Sequence, residues 1–515
     1  MLRALRNLLR LIEIAFILAR YDALFPLDAV VGARFVYRAL RLFRRRDAAL
    51  AEMRPGERLA AALQTMGPSF IKLGQALSIR ADLVGEAMAV DLATLQDRLP
   101  PFPADAARRL IEAELGAPIA ALYRSFDDHA VAAASIAQVH FAVTTEGEEV
   151  AVKVLRPGIH IAFARDLDLF FWLARLAERV QPALRRLKPV AVVSTLAETV
   201  QQEMDLRFEA AGASELRENF ADDPTFRVPR IDWRRTSRQV LTLERVGGIR
   251  VDDGAALAAA GHDVRAIMAN AAGAFFNQVF RDGFFHADLH PGNLFIDATG
   301  AIVAVDFGIM GRLDRKTRHY LADMLLAFLT RNYRRVAEVH FEAGYVPAGQ
   351  SHDAFAQACR SIGEPILGRP VNEISLGRLL AQLFQVTEQF QMETQPQLLL
   401  LQKTMVVAEG VGRMLDPSVN MWSLAQPLIE EWMRENRGPE ARLSDGVRDI
   451  LAVLSRLPAL ARDLQRLGAA VTEGGGLPLH ADTVTEIARR GAIELLGLPL
   501  WIIALTLVAI AVALW

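Results

Sequence analysis

The chain has 515 residues, 52% of them hydrophobic, so it can bury a large core and divide into two or three units, and it is not a disordered polymer. Its single cysteine, Cys359, excludes an intramolecular disulfide framework and a cysteine-based zinc centre, which points to a reducing compartment. The formal net charge of -2 hides a basic end: Met1 to Arg46 carries ten arginines against three acidic residues, a candidate for contact with an anionic surface.

In that first stretch Leu5, Leu8, Leu9, Ile12, Phe16 and Ala19 recur at helical spacing, and Arg3, Arg6 and Arg10 fall largely on the other face. Such a helix either lies on a membrane surface or packs its apolar stripe on the protein's own core, and the residues leave both open. There is no secretory signal with a small-residue cleavage site, and Glu13, Asp22, Asp28 and the lack of serine oppose a mitochondrial presequence. From Arg54 to Gly116 the pattern is helical, broken at Gly67-Pro68 and at Leu99-Pro100-Pro101. It contains Lys72-Leu73-Gly74-Gln75, with Lys72 and Gln75 on one helical face.

Val131 to Val154 then changes to strand character: Ser135 to Val143, a turn at Glu146 to Glu149, and Val150-Ala151-Val152-Lys153-Val154. A loop followed by a strand ending V-A-x-K is the order of a kinase small lobe, in which the loop covers the nucleotide phosphates and the lysine holds the α and β phosphates. Glycines normally let that loop approach. Here it reads Ala132-Ala133-Ala134-Ser135-Ile136-Ala137, whose side chains restrict φ and occupy space near the phosphates.

A long helical stretch follows, interrupted near Gln181-Pro182 and Lys188-Pro189, and places Gln202, Asp205 and Glu209 on one face at i, i+3 and i+7, with Glu203 beside it. Glu209 is the candidate carboxylate partner that would hold Lys153 extended. Gln239 to Leu243 reads as a strand, and Glu244-Arg245-Val246-Gly247-Gly248 resembles the hinge between kinase lobes, where backbone groups at Glu244 and Val246 would read adenine.

Ala266 to Arg281 is a helix that delivers the chain to His286-Ala287-Asp288-Leu289-His290-Pro291-Gly292-Asn293 and then Asp306-Phe307-Gly308. Asp288 precedes Asn293 by the interval that separates base and metal ligand in kinase catalytic loops, and Asp306 supplies a second ligand. Leu294 to Asp297, a turn at Thr299-Gly300 and Ile302 to Val305 form a hairpin pattern that brings Asn293 and Asp306 to one end. Two hard-oxygen ligands beside a triphosphate suit Mg2+. No APE triplet follows Gly308; Leu313 to Tyr345 is helical with a break at Arg331-Asn332, and helical patterns run on to about Ala470 before a linker at Gly474 to Pro478.

Leu495 to Trp515 has no charged residue and, at ~1.5 Å per residue, is long enough to cross a hydrocarbon core of ~30 Å. Trp501 and Trp515 sit toward its ends, and Arg489 and Arg490 before it would leave the body of the chain in the cytoplasm. The alternatives are a buried C-terminal helix or a self-association helix.

Four features together resemble the UbiB family of atypical kinase-like proteins: KxGQ at Lys72 to Gln75, the alanine-rich loop at Ala132 to Ser135, the Gln-Glu-x-Asp acid helix at Gln202, Glu203 and Asp205, and the HADxHPGN form of the catalytic loop. The resemblance spans roughly Met66 to Gly311. It implies an α+β, mostly helical, two-lobed kinase-like fold with an N-terminal helical extension, whose KxGQ segment packs over the nucleotide site and against Glu203 and Asp205 as a regulatory element. It also implies binding of ATP or ADP with Mg2+, ATP hydrolysis, and support of ubiquinone biosynthesis at the bacterial inner membrane, with membrane lipids, quinone precursors and other quinone-biosynthesis enzymes as partners and no nucleic acid. Family members often carry two C-terminal spans, whereas Glu486, Arg489, Arg490 and Glu494 here favour one.

The expected organisation is a basic helix over 1–50, the KxGQ extension over 51–116, an N-lobe over 117–245, a C-lobe over 246–473, a linker over 474–494 and a transmembrane helix over 495–515. Two other functions compete. A small-molecule phosphotransferase resembling aminoglycoside and choline kinases would share the HxDLHPGN loop, but those lack KxGQ and the alanine-rich loop; a nucleotide-sensing scaffold would bind ATP without turnover.

Overall fold

The computed structural model describes residues 2–23, 52–78, 84–93, 99–180, 189–365 and 396–415, with isolated positions at 50 and 95 and within 385–392 and 427–434. The expected linker and the apolar run Leu495 to Trp515 lie outside the described residues, among which no helix is long and apolar enough to cross a membrane.

The N-terminal part is helical: α1 (Leu2–Arg20), α2 (Pro55–Met66), α3 (Pro68–Ser78), α4 (Glu86–Ala93), α5 (Ala104–Leu115) and α6 (Ile119–Leu122). The Gly67-Pro68 break separates α2 from α3, since proline serves as the first residue of a helix but not its interior. α1 is held to the protein by Arg6, Arg10 and one apolar edge, while Leu9, Ile12 and Phe16 of its stripe are exposed. Arg6 pairs with Asp168 at 2.8 Å and Arg10 with Asp166 at 3.2 Å. Arg10 also donates to the Met66 carbonyl and lies over the Phe70 ring, and Ile14, Ile17 and Leu18 complete the contact. Two of the arginines expected to meet an anionic surface are thus committed to internal carboxylates.

A five-stranded antiparallel sheet follows, formed by β1 (Tyr123–Phe126), β2 (Ala132–Ala133), β3 (Ala137–Thr144), β4 (Glu149–Leu155) and a later strand, β6, in the order β1-β3-β4-β6 with β2 on β3. The alternation of β4 covers both faces. Val150, Val152 and Val154 pack with Ile111, Tyr123 and Val240, whereas Ala151 and Leu155 join the main core on the face that carries Lys153. The strand expected from Ser135 begins at Ala137, because Ala132 and Ala133 form their own short strand and leave Ala134 to Ile136 as the turn.

Then come α7 (Ile159–Val180), α8 (Pro189–Glu203) and α9 (Leu206–Asn219). The single helical face expected to carry Gln202, Asp205 and Glu209 is not formed. The helix ends at Glu203, and Asp205 caps α9 by accepting from the Arg207 N–H at 3.2 Å, so Glu209 sits in the first turn of a new helix.

β5 (Phe226–Arg227) precedes β6 (Val240–Glu244), after which β7 (Ile249–Arg250), α10 (Gly254–Ala259) and α11 (Val264–Phe276) lead to a π-turn over Asn277–Asp282. β8 (Phe284–His286), β9 (Leu294–Ile296), β10 (Ile302–Ala304) and β11 (Met310–Arg312) follow. The expected hairpin forms with Ile296 opposite Ile302. β9 and β10 belong to a second sheet in the order β5-β10-β9-β7, and β11 pairs with β8. Residues 226–227 fall in the range expected for the N-lobe, but β5 runs parallel to β10, which draws the end of α9 onto the lobe that carries the catalytic loop. Helices α12 (Arg315–Leu329), α13 (Tyr333–Glu342), α14 (His352–Gly363) and α15 (Pro396–Leu415) complete the described chain; Tyr333, Val336, Phe355 and Cys359 form a separate core there.

Candidate active site

Lys153 joins side chains from three separate parts of the chain. Its Nζ lies 2.7 and 3.0 Å from the two oxygens of Glu209 and 3.2 Å from Asp306 Oδ1. β4 delivers the lysine, the first turn of α9 the glutamate, and the segment after β10 the aspartate. Burial opposes the ammonium, but the two carboxylates outweigh it and raise the Lys153 pKa, so the lysine is a fixed cation. Burial pushes Glu209 up to about 7, aided by Asp306 and opposed by Lys153. Burial would raise Asp306 too, but Lys153, the Gly308 N–H and His286 hold it well below the usual carboxylate range. It remains an anion.

The catalytic loop is braced internally. Asp288 N–H donates to His286 Nδ1 at 3.1 Å, His286 N–H donates to Gln278 Oε1 at 2.9 Å, and Asn293 Nδ2 donates to the Asp288 carbonyl at 3.3 Å. Val305 N–H donates to the Asn293 carbonyl at 3.0 Å, which ties the loop to the segment carrying Asp306. The buried His286 ring packs against Phe307, with centroids 5.6 Å apart.

Asn293 and Asp306 offer hard oxygen donors. Among the described residues no group of three or more His, Cys, Asp or Glu is placed to hold a metal, so a soft or all-protein metal cage is absent there. Two protein ligands, with phosphate and water supplying the rest, is how Mg2+ is usually held. The Ser135 hydroxyl, fully buried at the turn of the alanine-rich hairpin, has no protein hydrogen-bond partner among the described residues. An orphan donor in the loop expected to cover the phosphates, a fixed lysine and an Asn/Asp pair fit a magnesium nucleotide.

The hairpin itself is held from behind by Arg156, which the motif reading did not single out. Its guanidinium donates to the Ala134 carbonyl at 2.9 and 3.2 Å and to the Pro100 carbonyl at 2.9 Å. In the segment expected to form the hinge, the Glu244 carboxylate accepts from Arg227 at 2.5 Å and from the Arg230 N–H at 3.2 Å, and the Glu244 N–H is itself taken, donating to the Arg230 carbonyl at 2.8 Å, so that amide is not open to adenine. Gly248 closes the hinge against β9; a Cβ there would stand 2.5 Å from the Ile296 carbonyl oxygen.

Lys72 and Glu203 are brought together at 2.8 Å, both side chains largely buried. Asp205 is not centred on Lys72 but on Arg207, at 2.7 Å, because its position before α9 makes it a cap. Gln75 stands one turn beyond Lys72 on α3, half-buried.

A model of the ABC1 atypical kinase-like domain matches residues 94–340, and one of the UbiB helical domain matches 359–420. A Marinobacter nauticus protein named probable protein kinase UbiB is 43% identical over 463 residues, which cover 88% of this chain and 84% of the relative. A Pseudomonas fluorescens protein of the same name is 44% identical over 470 residues, 90% of this chain and 87% of the relative. The chain belongs to the UbiB family. A solved complex of Rv3197 with erythromycin, from Mycobacterium tuberculosis, aligns with a TM-score of 0.50 at 25% identity, covering 78% of this chain and 98% of that one. The match to the ABC1 atypical kinase-like domain contains Lys153, Glu209, Asp288, Asn293 and Asp306 but begins after Lys72, so the KxGQ helix precedes the matched domain.

Proposed function

We propose that this UbiB-family chain binds ATP and ADP with Mg2+ at this site, cleaves the γ phosphate with water or a small molecule as acceptor, and through that cycle supports ubiquinone biosynthesis on the bacterial inner membrane. The observation that carries the reading is the Lys153, Glu209 and Asp306 constellation, with Asn293 and Asp288 braced beside it. Lys153 would hold the α and β phosphates, Asn293 and Asp306 would hold the ion, and the ion would offset the charge of the phosphates. Asp288 would orient the attacking hydroxyl or water and accept its proton. Ser135 would donate to a phosphate oxygen from the loop, while Ala132, Ala133 and Ala134 limit how closely that loop can settle.

Lys72 and Glu203 sit where α8 gives way to the helix bearing Glu209, and we assign them, with Gln75, the role of a regulatory cover that excludes peptide acceptors. Membrane attachment rests on Leu495 to Trp515 as a single C-terminal span with the catalytic body in the cytoplasm. Quinone precursors and the enzymes that modify them are the proposed partners. The test is phosphate release from Mg-ATP with and without quinone-precursor-like phenolic lipids in vesicles. Stimulated release in the parent and its loss in Asp288→Asn is the expected result; nucleotide binding with no release under any condition would favour a sensing scaffold, and efficient transfer to soluble small alcohols a small-molecule phosphotransferase.

A further inference from the structure

We infer that α9 is fastened to the catalytic-loop lobe through a close approach at Gly212 and a fork between Glu215 and Arg312, which makes Gly212, Glu215 and Arg312 positioning residues for the pair between Lys153 and Glu209. The inference rests on the nucleotide-site reading above and names what keeps that site assembled.

Ordinary kinases form the equivalent lysine–glutamate pair only when their glutamate-bearing helix is swung inward, a movement governed by the activation segment. This chain moves directly from Asp306-Phe307-Gly308 into β11 and then α12, which Asp314 caps at Arg315. Something else must set the helix, and three contacts along α9 do so. In its first turn Glu209 is joined to Asp306 through Lys153, which donates to both carboxylates. One turn on, a Cβ at Gly212 would stand 3.1 Å from Met310 Cγ and 3.8 Å from the Phe307 carbonyl oxygen, so the helix backbone lies directly on the segment that carries Asp306. One turn further, both Glu215 oxygens accept from Arg312, at 2.9 and 2.7 Å, and the Arg312 guanidinium lies over the Phe284 ring at 4.6 Å.

The helix end is held as well. Arg281 donates to the Asn219 carbonyl at 2.7 Å and covers the Phe220 ring, and the chain then enters the second sheet as β5. A cation on a C-terminal carbonyl also suits the helix dipole. The fork between Glu215 and Arg312 is exposed, and an exposed pair alone contributes little, so the buried approach at Gly212 should dominate. Glu209 and Asp306 therefore move as one body, and the site remains built without nucleotide and without phosphorylation of a loop.

Hydrogen exchange on the full chain tests this directly. Amides over residues 209–219 should be as protected without ligand as with Mg-ADP; protection that appears only with Mg-ADP would overturn the inference. Variants separate positioning from stability. Gly212→Leu should lower Mg-ADP affinity at least tenfold in the parent but change nothing further in a Lys153→Met background, since it acts through that lysine. Glu215→Gln and Arg312→Gln should each lower affinity by up to about fivefold, the range of an exposed pair, and the exchanged pair Glu215→Arg with Arg312→Glu should recover most of it. Equal losses in both backgrounds, or unchanged affinity in Gly212→Leu, would refute the positioning role. A parent that binds no Mg-ADP would sink the nucleotide site instead, and exchange protection of the helix in ligand-free protein would still decide whether α9 is fastened.

Discussion

Replacing Glu209 by glutamine isolates the one contact on which the nucleotide site depends. The side chain keeps its volume, and Lys153 keeps Asp306 at 3.2 Å, so the lysine is not left as an unpaired buried ion. What disappears is one charge-assisted contact, now made through both Glu209 oxygens at 2.7 and 3.0 Å. A hydrogen bond to a charged group contributes about 1.5–3 kcal/mol, whereas stranding a buried ion costs about 3–5 kcal/mol; the surviving Asp306 contact selects the smaller figure. Lys153 would then lean toward Asp306 and away from the phosphates, and Mg-ATP affinity should fall about 10- to 100-fold. Calorimetric titration with Mg-ATP and Mg-ADP reads this loss. Because burial pushes Glu209 up to about 7, its carboxyl is increasingly neutral below that pH, and parental affinity should converge on that of Glu209→Gln as pH falls through 7. Parental affinity in the variant at pH 8 would refute the reasoning.

Asp306→Asn should abolish Mg2+-dependent nucleotide binding, measured by titration with and without the ion, because an amide cannot replace the anion that holds it. Asp288→Asn should bind Mg-ATP like the parent and release no phosphate, as expected for a base or water-positioning group. Lys72→Ala leaves the Glu203 carboxylate buried and should destabilise the protein by about 3 kcal/mol in denaturant unfolding, with Lys72→Met/Glu203→Gln recovering most of it. Ala133→Gly should change the ratio of ATP to ADP affinity and allow some autophosphorylation, read by phosphate incorporation; neither change would leave the hairpin a purely structural feature. Removal of Leu495 to Trp515 should move the protein from the membrane fraction to the soluble fraction, with Arg6 and Arg10 unable to retain it because Asp168 and Asp166 already engage them.

The residues of the site were legible because each stands in a strong local pattern. Lys153 lies on a strand whose alternation is visible as Val150, Val152 and Val154, and the hairpin between Asn293 and Asp306 has its turn residues in place. The break before Glu209 escaped notice because helical spacing runs straight through Asp205, although an aspartate immediately before Leu206 is an N-cap signal. β5 could not be read at all. It is two residues long, its partner lies far along the chain, and parallel pairing leaves no turn to announce it. The inward face of α1 was also hidden, since apolar periodicity left the stripe of Leu9 and Ile12 free to face a membrane or the core, and only the distant Asp166 and Asp168 show which side meets the protein.

The pairing of β11 with β8 bears on what the proposed site can accept. Met310 lies opposite His286 and Arg312 opposite Phe284, so the residues directly after Asp306-Phe307-Gly308 are committed to a strand beside the catalytic loop. Gly311 has no space for a side chain, because a Cβ would stand 2.1 Å from the Phe285 ring, and this close contact keeps β11 tight against β8. A peptide acceptor normally lies along the segment that follows those residues, and here that path is strand and then helix. On the side of the small lobe, Arg156 ties the alanine-rich hairpin to the Pro100 carbonyl, and Lys72 ties the extension to Glu203. On the proposed reading, an acceptor for Asp288 would therefore have to pass between these fixed elements. Water would meet that condition, as would the head of a lipid presented from a membrane, whereas a polypeptide would need one of these contacts or the alanine-rich hairpin to give way.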